Sequence, residues 1–277
     1  MRGRSLKSVQ PDGHLPELNE TNTRRSGLSS VKVAVSVFLV PFLAYLGLCA
    51  YVYIAQPSLV FFPHSTIGQT PADRGLVYED VRMNTPDDET IHGWYIPAEG
   101  DGIHVLFFHG NGGNISNRLN TIAMLNSMGH AVLIVDYRGY GYSTGRPSEA
   151  GTYLDALTAW DYLTTTRSVN PQDIVIYGRS LGGAVAVWLA AEHDPGGLII
   201  ESTFSRMVDM GAHHYPYLPA RLLTRIRYDS LSRIANVHCP VFSAHSRDDE
   251  TVPFELGRAL ADAAPKCSQV GLELLAA

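Results

Sequence analysis

The sequence is poor in cysteine and in basic charge. Three cysteines, Cys49, Cys239 and Cys267, occur in 277 residues, and three cannot all pair within one chain. None lies in a C-x-x-C spacing, so neither a zinc site nor a redox dithiol is indicated. The net charge is −6, and the longer part of the chain, after residue 56, has no strongly basic face. Binding to nucleic acid therefore has no electrostatic support.

Charge is absent altogether from a 23-residue segment near the N-terminus, residues 33–55. As a helix this segment would be about 34 Å long, enough to cross a hydrocarbon core of about 30 Å. Pro41 would kink such a helix without excluding it. Tyr51 and Tyr53 lie near its end, where aromatic side chains favour the membrane interface. The segment predicts one transmembrane anchor over residues 31–56.

Three alternatives to a spanning helix are weaker. A cleaved signal peptide usually has an apolar region of roughly 7–15 residues and begins earlier. A lipoprotein signal around Cys49 is not favoured, because Leu48 occupies a position where a small residue is expected. A core helix of a globular domain seldom needs so many consecutive uncharged residues.

Basic residues lie mainly on one side of the anchor. Arg24, Arg25 and Lys32 precede it, and no Lys or Arg follows until Arg74. The positive-inside rule therefore predicts a single-pass protein with a cytoplasmic N-terminus and the rest of the chain across the membrane. Residues 1–30 are polar and show no apolar period, which predicts a disordered cytoplasmic tail.

Residues 57–277 have the length and pattern of one α/β domain. A strand hairpin is predicted first, followed by short apolar strands that alternate with helices. Such alternation predicts a mostly parallel sheet with helices on both faces. The predicted strands are Val77–Met83, Ile91–Pro97, Ile103–Phe108, Ala131–Asp136, Ile174–Tyr177, Gly197–Glu201 and Val241–Ala244.

The segment 202–236 interrupts this alternation. It has helical patches broken by prolines and no strand pattern. Its place after a strand predicts a small cap over the C-terminal edge of the sheet. A plain crossover helix is the alternative.

The pattern G-x-S-x-G places Ser180 between Gly178 and Gly182. Alone the pattern is weak, but here it follows an apolar strand and precedes an Ala-rich helix. A tight turn in that position exposes the serine oxygen, and flanking glycines avoid collisions. The N-terminus of the following helix favours developing negative charge. We predict Ser180 as a nucleophile, and a structural glycine turn is the alternative.

The sequence F-F-H-G-N-G-G-N follows another apolar strand, over residues 107–114. A glycine-rich loop there can offer backbone N–H groups to an oxyanion, together with the N–H of Leu181. We predict Asn111 as the donor of the loop. A phosphate cradle is disfavoured because the P-loop lysine and hydroxyl are absent, and a simple tight turn is a further alternative.

Four motifs in this order resemble the α/β-hydrolase superfamily: H-G-N-G-G-N, D-Y-R-G-Y-G-Y-S-T-G, G-R-S-L-G-G and H-S-R-D-D-E-T-V-P. The chain is most similar to the serine-aminopeptidase-like branch of hydrolase-domain proteins, many of which carry an N-terminal membrane anchor. The resemblance covers about residues 57–265. It implies a Ser–Asp–His triad and no metal or organic cofactor. For D-Y-R-G-Y-G it implies a structural role in the loop beside the site.

The acid motif of that family aligns with H-S-R-D-D-E-T-V-P and assigns the acid to Asp249. The chemistry requires a carboxylate at the end of a strand that orients an imidazole and stabilises its cation. Asp248 and Glu201 are competing candidates. Ser246 stands where the family has glycine, a departure that could shift the loop.

The base is the largest departure. The resemblance predicts a G-H-N or G-H-D segment after the acid, but none of the 28 residues after Asp249 is histidine. The sequence thus predicts a domain shortened at its C-terminus. Without a base, Ser180 keeps its proton and is a poor nucleophile. The other histidines considered as substitutes are His109, His213, His214 and His245. A metal site built from His213, His214 and Asp249 is the least favoured alternative.

Two classes of function follow. The first is a serine hydrolase that cleaves an ester, thioester or amide through an acyl-enzyme at Ser180, impaired here by the missing histidine. The second is a catalytically inactive, membrane-tethered binding protein or a truncated product. Tethering favours a lipid or acylated substrate over other small molecules, but no motif identifies the substrate or the oligomeric state.

Overall fold

The computed structural model describes residue 8 and residues 21–98, 100, 102–265 and 267–268. The chain divides into two compact units, Met1–Leu48 and Cys49–Ala277. The division falls inside one long helix, α1, which spans Thr21–Val60. The second unit contains the sheet and the candidate site.

The first helix is continuous through the whole charge-free segment. Its portion Val35–Val60 has the length and composition of a membrane span, and the most apolar part of that span is not buried. Much of the predicted disordered tail, residues 1–30, lies outside the described residues. The helix begins at Thr21, so the last ten residues of that predicted tail are helical instead. Adding a residue to an existing helix costs far less than nucleating one, which favours this N-terminal extension.

The second unit contains short strands and helices. The strands are β1 Phe62–Pro63, β2 Glu79–Asn84, β3 Thr90–Ile96, β4 His104–Phe108, β5 Gly112–Gly113, β6 Ala131–Val135, β7 Ile174–Arg179, β8 Gly197–Glu201, β9 Val241–Ala244 and β10 Cys267–Ser268. The α-helices are α2 Leu119–Ser127, α3 Glu149–Asp161, α4 Leu181–Glu192, α5 Met207–His214, α6 Ala220–Leu223, α7 Ser230–Arg233 and α8 Phe254–Ala263. A π-helical turn, Tyr162–Thr166, follows α3.

Eight strands form the central sheet in the order β10-β9-β8-β7-β4-β6-β3-β2. The pairs from β10 to β6 are parallel, whereas β3 is antiparallel to both β6 and β2. The carboxyl ends of β4, β7, β8 and β9 therefore lie along one edge, where α/β proteins bind their ligands. The predicted α/β-hydrolase sheet with an antiparallel hairpin at its start is confirmed.

Apolar side chains cover both faces of this sheet. Leu106 and Phe108 pack into one buried cluster, and Val105 and Phe107 pack into another. Successive strand residues point to opposite faces, so β4 contributes to two separate cores. This explains why its sequence is continuously apolar rather than alternating, as expected for a strand covered on both sides.

The segment predicted as a cap, residues 202–236, lies between β8 and β9. It folds into the short helices α5, α6 and α7, followed by a 3-10 turn at Ile234–Asn236, and it contains no strand. One backbone bond within it joins the N–H of Met207 to the carbonyl of Arg227 at 2.9 Å. This bond closes the segment into a loop across its two ends.

Candidate active site

Ser180 lies on the sharp turn between β7 and α4. Its backbone has φ 54° and ψ −121°, a conformation that is strained for a residue with a side chain. Its N–H donates to the Glu201 carbonyl at 2.9 Å, and its own carbonyl accepts from the Gly183 N–H at 2.9 Å. The Thr203 hydroxyl also donates to that carbonyl at 2.7 Å. These bonds hold the strained turn in place.

The glycines that flank Ser180 are required by close packing. A Cβ atom at Gly182 would lie 2.1 Å from the carbonyl oxygen of Phe108. A Cβ atom at Gly178 would lie 2.3 Å from the Gly182 carbonyl and 2.6 Å from the Ala186 methyl group. The turn therefore packs directly on the end of β4, as the G-x-S-x-G pattern predicts.

The loop after β4 lies beside the serine. A Cβ atom built on Gly110 would be 3.4 Å from the Ser180 Cβ and 3.9 Å from its Oγ. Within the described part of the chain, no hydrogen bond uses the N–H of Asn111. Leu181 is the first residue of α4, where N–H groups lack a partner inside the helix. Both predicted donors thus have N–H groups available to a ligand.

The side chain of Asn111 has a different task. Its amide donates to the carbonyl of Val60, the last residue of α1, at 2.9 Å. Its backbone carbonyl accepts from the Phe62 N–H at 3.0 Å and from the Tyr140 hydroxyl at 2.7 Å. Of its donors, the backbone N–H is the group that could serve an oxyanion.

A second strand pair supports the same loop. The two residues after Phe61 form β1, which is parallel to β5, with Phe62 opposite Gly112 and Pro63 opposite Gly113. The His64 N–H donates to the Gly113 carbonyl at 3.2 Å. The sequence indicates neither the pairing of β1 with β5 nor the bond from His64 to Gly113, because each joins residues about 50 positions apart. The chain that leaves α1 therefore forms one wall of the candidate oxyanion loop.

Asp249 lies in the loop after β9. Its Oδ1 accepts from the N–H groups of Thr251 at 2.9 Å and Val252 at 2.8 Å. Its Oδ2 is 3.6 Å from the Nε2 of His245, and 15% of the side chain is exposed. One oxygen is thus fixed by the backbone, while the other is less constrained and could accept an imidazole N–H.

The two competing carboxylates have other environments. Asp248 is exposed. The carboxylate of Glu201 accepts a short hydrogen bond from the Tyr177 hydroxyl and lies 3.6 Å from the guanidinium of Arg179. Burial and the neighbouring Glu201 charge raise the pKa of Tyr177, so the phenol stays protonated as the donor.

The histidines considered as substitute bases are occupied elsewhere. His245 is buried and donates through Nε2 to the Val252 carbonyl at 2.8 Å. His214 donates to the Thr251 carbonyl at 2.9 Å, and His213 packs edge-on against it. Within the residues that the structure describes, no hydrogen bond joins Ser180 Oγ to an imidazole. Among the described residues, no cluster of three or more His, Cys, Asp or Glu side chains could hold a metal ion.

A buried cluster behind the loop was not predicted. His109 donates through Nδ1 to the Gly110 carbonyl at 2.7 Å, and its Nε2 is 3.4 Å from Asp136 Oδ1. That oxygen also accepts from the Ile115 N–H at 2.9 Å. His92 Nδ1 lies 3.8 Å from the other carboxylate oxygen. The motifs contain His109 and Asp136 but not His92, and no spacing in the sequence reveals that the three residues meet.

The neighbours of Asp136 favour the ionised form of its carboxyl group. Burial opposes ionisation of Asp136, but His109 and His92 outweigh it and lower the pKa of the carboxyl. Burial alone would likewise lower the pKa of His92, yet Asp136 and Asp80 raise it. Asp80 Oδ2 lies 3.0 Å from His92 Nε2. Acidic and imidazole groups therefore alternate in a row that ends at the loop beside Ser180: Asp80, His92, Asp136 and His109.

Arg138 shapes the next loop, as the D-Y-R-G-Y-G motif implies. Its guanidinium donates to Asp155 at 2.9 and 3.0 Å and to Asp87 at 2.7 and 3.1 Å. Its backbone N–H donates to Asp155 at 2.8 Å. Two carboxylates around one guanidinium raise the pKa of Arg138 and fix the loop by charge-assisted bonds.

Relatives and solved structures agree with this fold. Residues 103–230 match the family model described as alpha/beta hydrolase fold. The uncharacterized protein MT2364 of Mycobacterium tuberculosis is 38% identical over 235 residues, 83% of each chain. The alpha/beta hydrolase domain-containing protein WAV2 of Arabidopsis thaliana is 34% identical, over 73% of this chain and 72% of that protein.

Some of the relatives carry an activity in their name. The lysophosphatidylserine lipase ABHD12 of Xenopus tropicalis is 28% identical, over 90% of this chain and 78% of that protein. Among solved structures, the Pyrococcus furiosus esterase Pf2001 superimposes with a TM-score of 0.61 at 22% identity, over 76% of this chain and 87% of that one. The chain belongs to the α/β hydrolase fold family.

Proposed function

We propose that this chain is a membrane-anchored serine hydrolase with impaired catalysis, whose nucleophile Ser180 would cleave an ester, thioester or amide through an acyl-enzyme once a general base is supplied. The observation that carries the proposal is the strained backbone of Ser180, φ 54°, on a strand–helix turn beside Gly110. A non-glycine residue adopts such a conformation only where the surrounding structure holds it, and such sites cluster at active centres. A plain structural turn could have used glycine.

The remaining roles follow from position. The N–H groups of Asn111 and Leu181 would stabilise the oxyanion of the tetrahedral intermediate. Asp249 would orient the general base and stabilise its cation. In the first step the Ser180 oxygen would bond to the substrate carbonyl carbon while its proton passes to the base. The base would then give that proton to the leaving group, and water would release the acyl group.

We propose a lipid-like acyl substrate. The apolar helix α1 supports this because it would place the domain at a membrane surface, and the Xenopus relative is named as a lipase of lysophosphatidylserine. By the positive-inside rule, the N-terminus would be cytoplasmic and the hydrolase domain would lie on the opposite side.

The second candidate is a membrane-tethered binding protein of the same fold. One observation favours it: His109 and His245, two of the histidines considered as substitute bases, donate to backbone carbonyls. Removing one triad member leaves a serine hydrolase with only the residual rate of its oxyanion hole and substrate binding.

A comparison of four chains decides between the candidates. The 277-residue chain and a version extended by a family-like strand, G-H-D turn and closing helix are each made with Ser180 and with S180A. We expect the 277-residue chain to hydrolyse p-nitrophenyl acetate no faster than its S180A variant. The extended chain should gain a Ser180-dependent rate of roughly 10³-fold or more and should react with a fluorophosphonate probe.

Two results would contradict this expectation. Brisk Ser180-dependent turnover by the 277-residue chain would show a substitute base. An extended, folded chain that neither turns over substrate nor reacts with the probe would favour the binding protein. Circular dichroism of all four chains separates loss of chemistry from loss of fold.

A further inference from the structure

The cap carries an exposed apolar and basic surface around α6. Tyr215, Tyr217 and Leu222 are 53%, 62% and 80% exposed, and Arg221 and Arg225 are also exposed. We call these five residues the cap surface. Large apolar groups this exposed and this close together in a chain mark a contact surface more often than a random feature.

The cap surface is tied to the end of α1 through one buried side chain. The amide of Gln56 donates to the Leu223 carbonyl at 3.0 Å. Its carbonyl oxygen accepts from the N–H groups of Arg225 at 2.6 Å and Ile226 at 2.7 Å. All these residues lie in the unit Cys49–Ala277. The cap therefore contacts α1 at residue 56.

A second contact lies one helical turn earlier. The guanidinium of Arg225 is 4.9 Å from the centre of the Tyr53 ring and donates to the Tyr53 carbonyl at 3.3 Å. Tyr51, Tyr53 and Ile54 are themselves 60%, 44% and 72% exposed. Tyrosine is enriched at the interface between hydrocarbon and water, and arginine there reaches the headgroups.

The apolar span is longer than the hydrocarbon core is thick, so its last turns can lie outside the core. The 26 residues Val35–Val60 form a helix about 39 Å long, whereas the hydrocarbon core is about 30 Å thick. If the core begins at Val35, it ends near Ile54. Gln56 and the cap residues bonded to it then lie in the headgroup region.

The charge of the cap fits anionic headgroups. Residues 210–228 contain three arginines, Arg221, Arg225 and Arg227, and no acidic residue, although the whole chain has a net charge of −6. Each basic residue near an anionic surface favours binding, and the attraction falls off within a Debye length. A protein partner would not require the basic residues of the cap to lie where α1 leaves the hydrocarbon core.

We propose that the cap surface docks on the bilayer that holds α1, with Leu222 and the tyrosines among the upper acyl chains and the arginines on anionic phospholipid headgroups. The inference rests on the proposed membrane anchor, but not on catalysis. It also places the site at the membrane, because His214 of the cap donates to the Thr251 carbonyl, two residues from Asp249.

Fluorescent labels at single cysteines test the docking in the full chain. Cys49, Cys239 and Cys267 are first replaced by alanine, and NBD is then attached after F38C, Y217C, L222C or V77C. The proteins are reconstituted in phosphatidylcholine vesicles with or without phosphatidylglycerol, and brominated lipid is the quencher. Position 77 is the matched control, because Val77 is 77% exposed on the same unit. Position 38 reports the anchor.

We expect brominated lipid to quench the labels at positions 38, 217 and 222, with at least threefold stronger quenching at 222 than at 77. R221Q should weaken the quenching at 222 in vesicles with phosphatidylglycerol, toward its value in phosphatidylcholine alone. The readout does not depend on Ser180, so an inactive chain can still pass the test.

Three results would overturn the docking. Quenching at 38 without quenching at 222 would leave the anchor and remove the cap contact. Quenching at neither position would remove both proposals. A blue-shifted label at 222 that brominated lipid does not quench would mean that protein, such as a second copy of the chain, covers the surface.

Discussion

At the residue scale, the site combines residues whose roles are readable from motifs with residues whose roles depend on the fold. The tight turn at Ser180 and the close packing of Gly182 could be predicted because a strand–helix turn of this kind imposes a local pattern. Asp136 could not be assigned a function from sequence, because its partners come from elsewhere in the fold: His92 from β3 and His109 from the loop after β4. Its full burial and charge are properties of the folded cluster.

The cluster predicts a pH dependence of stability. The pKa of His92 is raised in the folded chain by Asp136 and Asp80, against the effect of burial. A raised histidine pKa stabilises the fold fully below the unfolded pKa of about 6.5, and this contribution is lost as the pH rises through the folded pKa. Stability should therefore fall above neutral pH.

Replacing the imidazole tests this assignment. In H92Q the free energy of unfolding should be lower at pH 6, and the part of its decline between pH 6 and pH 9 that His92 causes should disappear. Urea titration at several pH values, followed by tryptophan fluorescence, measures both. H238Q is the control, because His238 is exposed and should leave the profile unchanged. Parallel profiles for H92Q and the original chain would exclude His92 as the source.

At the element scale, the strands are more predictable than their contacts. The predicted bounds Gly197–Glu201 and Val241–Ala244 agree with β8 and β9, because buried parallel strands are short apolar runs between turn residues. The pairing of β1 with β5 has no such signal, since Phe62–Pro63 is too short and too exposed to show a strand pattern. The two strands meet only when the loop after β4 has folded, and no local sequence pattern encodes that contact.

The packing of α4 on β4 gives an element-scale prediction. Because a Cβ at position 182 would lie 2.1 Å from the Phe108 carbonyl, G182A must push the helix away from the strand. We expect a loss of about 1–3 kcal/mol in the free energy of unfolding, as for other overpacked sites. Chemical denaturation in detergent provides the measurement.

Gly68 provides the matched control for this change. A Cβ at Gly68 would meet nothing within 4 Å, and its φ is not in the left-handed region. G68A should therefore change stability by less than about 0.5 kcal/mol. If G182A is as stable as G68A, the close approach of α4 to β4 does not exist in solution.

At the scale of the whole molecule, α1 belongs to two units. Its first part, up to Leu48, falls in the N-terminal unit, and its last part begins the hydrolase unit at Cys49. Composition predicted the apolar helix, but it could not show that the last turns are part of the second unit. The last turns belong to that unit because Gln56 bonds to the cap and Val60 bonds to Asn111.

Two shortened chains test this division. A chain that begins at Cys49 keeps every contact of Gln56 and Val60, so its free energy of unfolding should match that of the full chain within about 0.5 kcal/mol. A chain that begins at Phe61 leaves the N–H of Ile226 buried without the Gln56 oxygen that accepts its hydrogen bond. Each buried group left unsatisfied costs about 1–3 kcal/mol. We therefore expect the shorter chain to be several kcal/mol less stable in the same detergent.

The variant Q56L in the chain that begins at Cys49 separates side-chain bonding from helix length. It keeps the helix and removes the bonds to Leu223, Arg225 and Ile226, so it should reproduce much of the loss. Q172L is its control, because Gln172 is exposed and makes one side-chain bond, to the Asp194 carbonyl. Equal denaturation midpoints for the chains that begin at Cys49 and Phe61 would contradict the assignment. The end of the apolar helix would then be a tether alone, and the oxyanion loop would hold its shape without it.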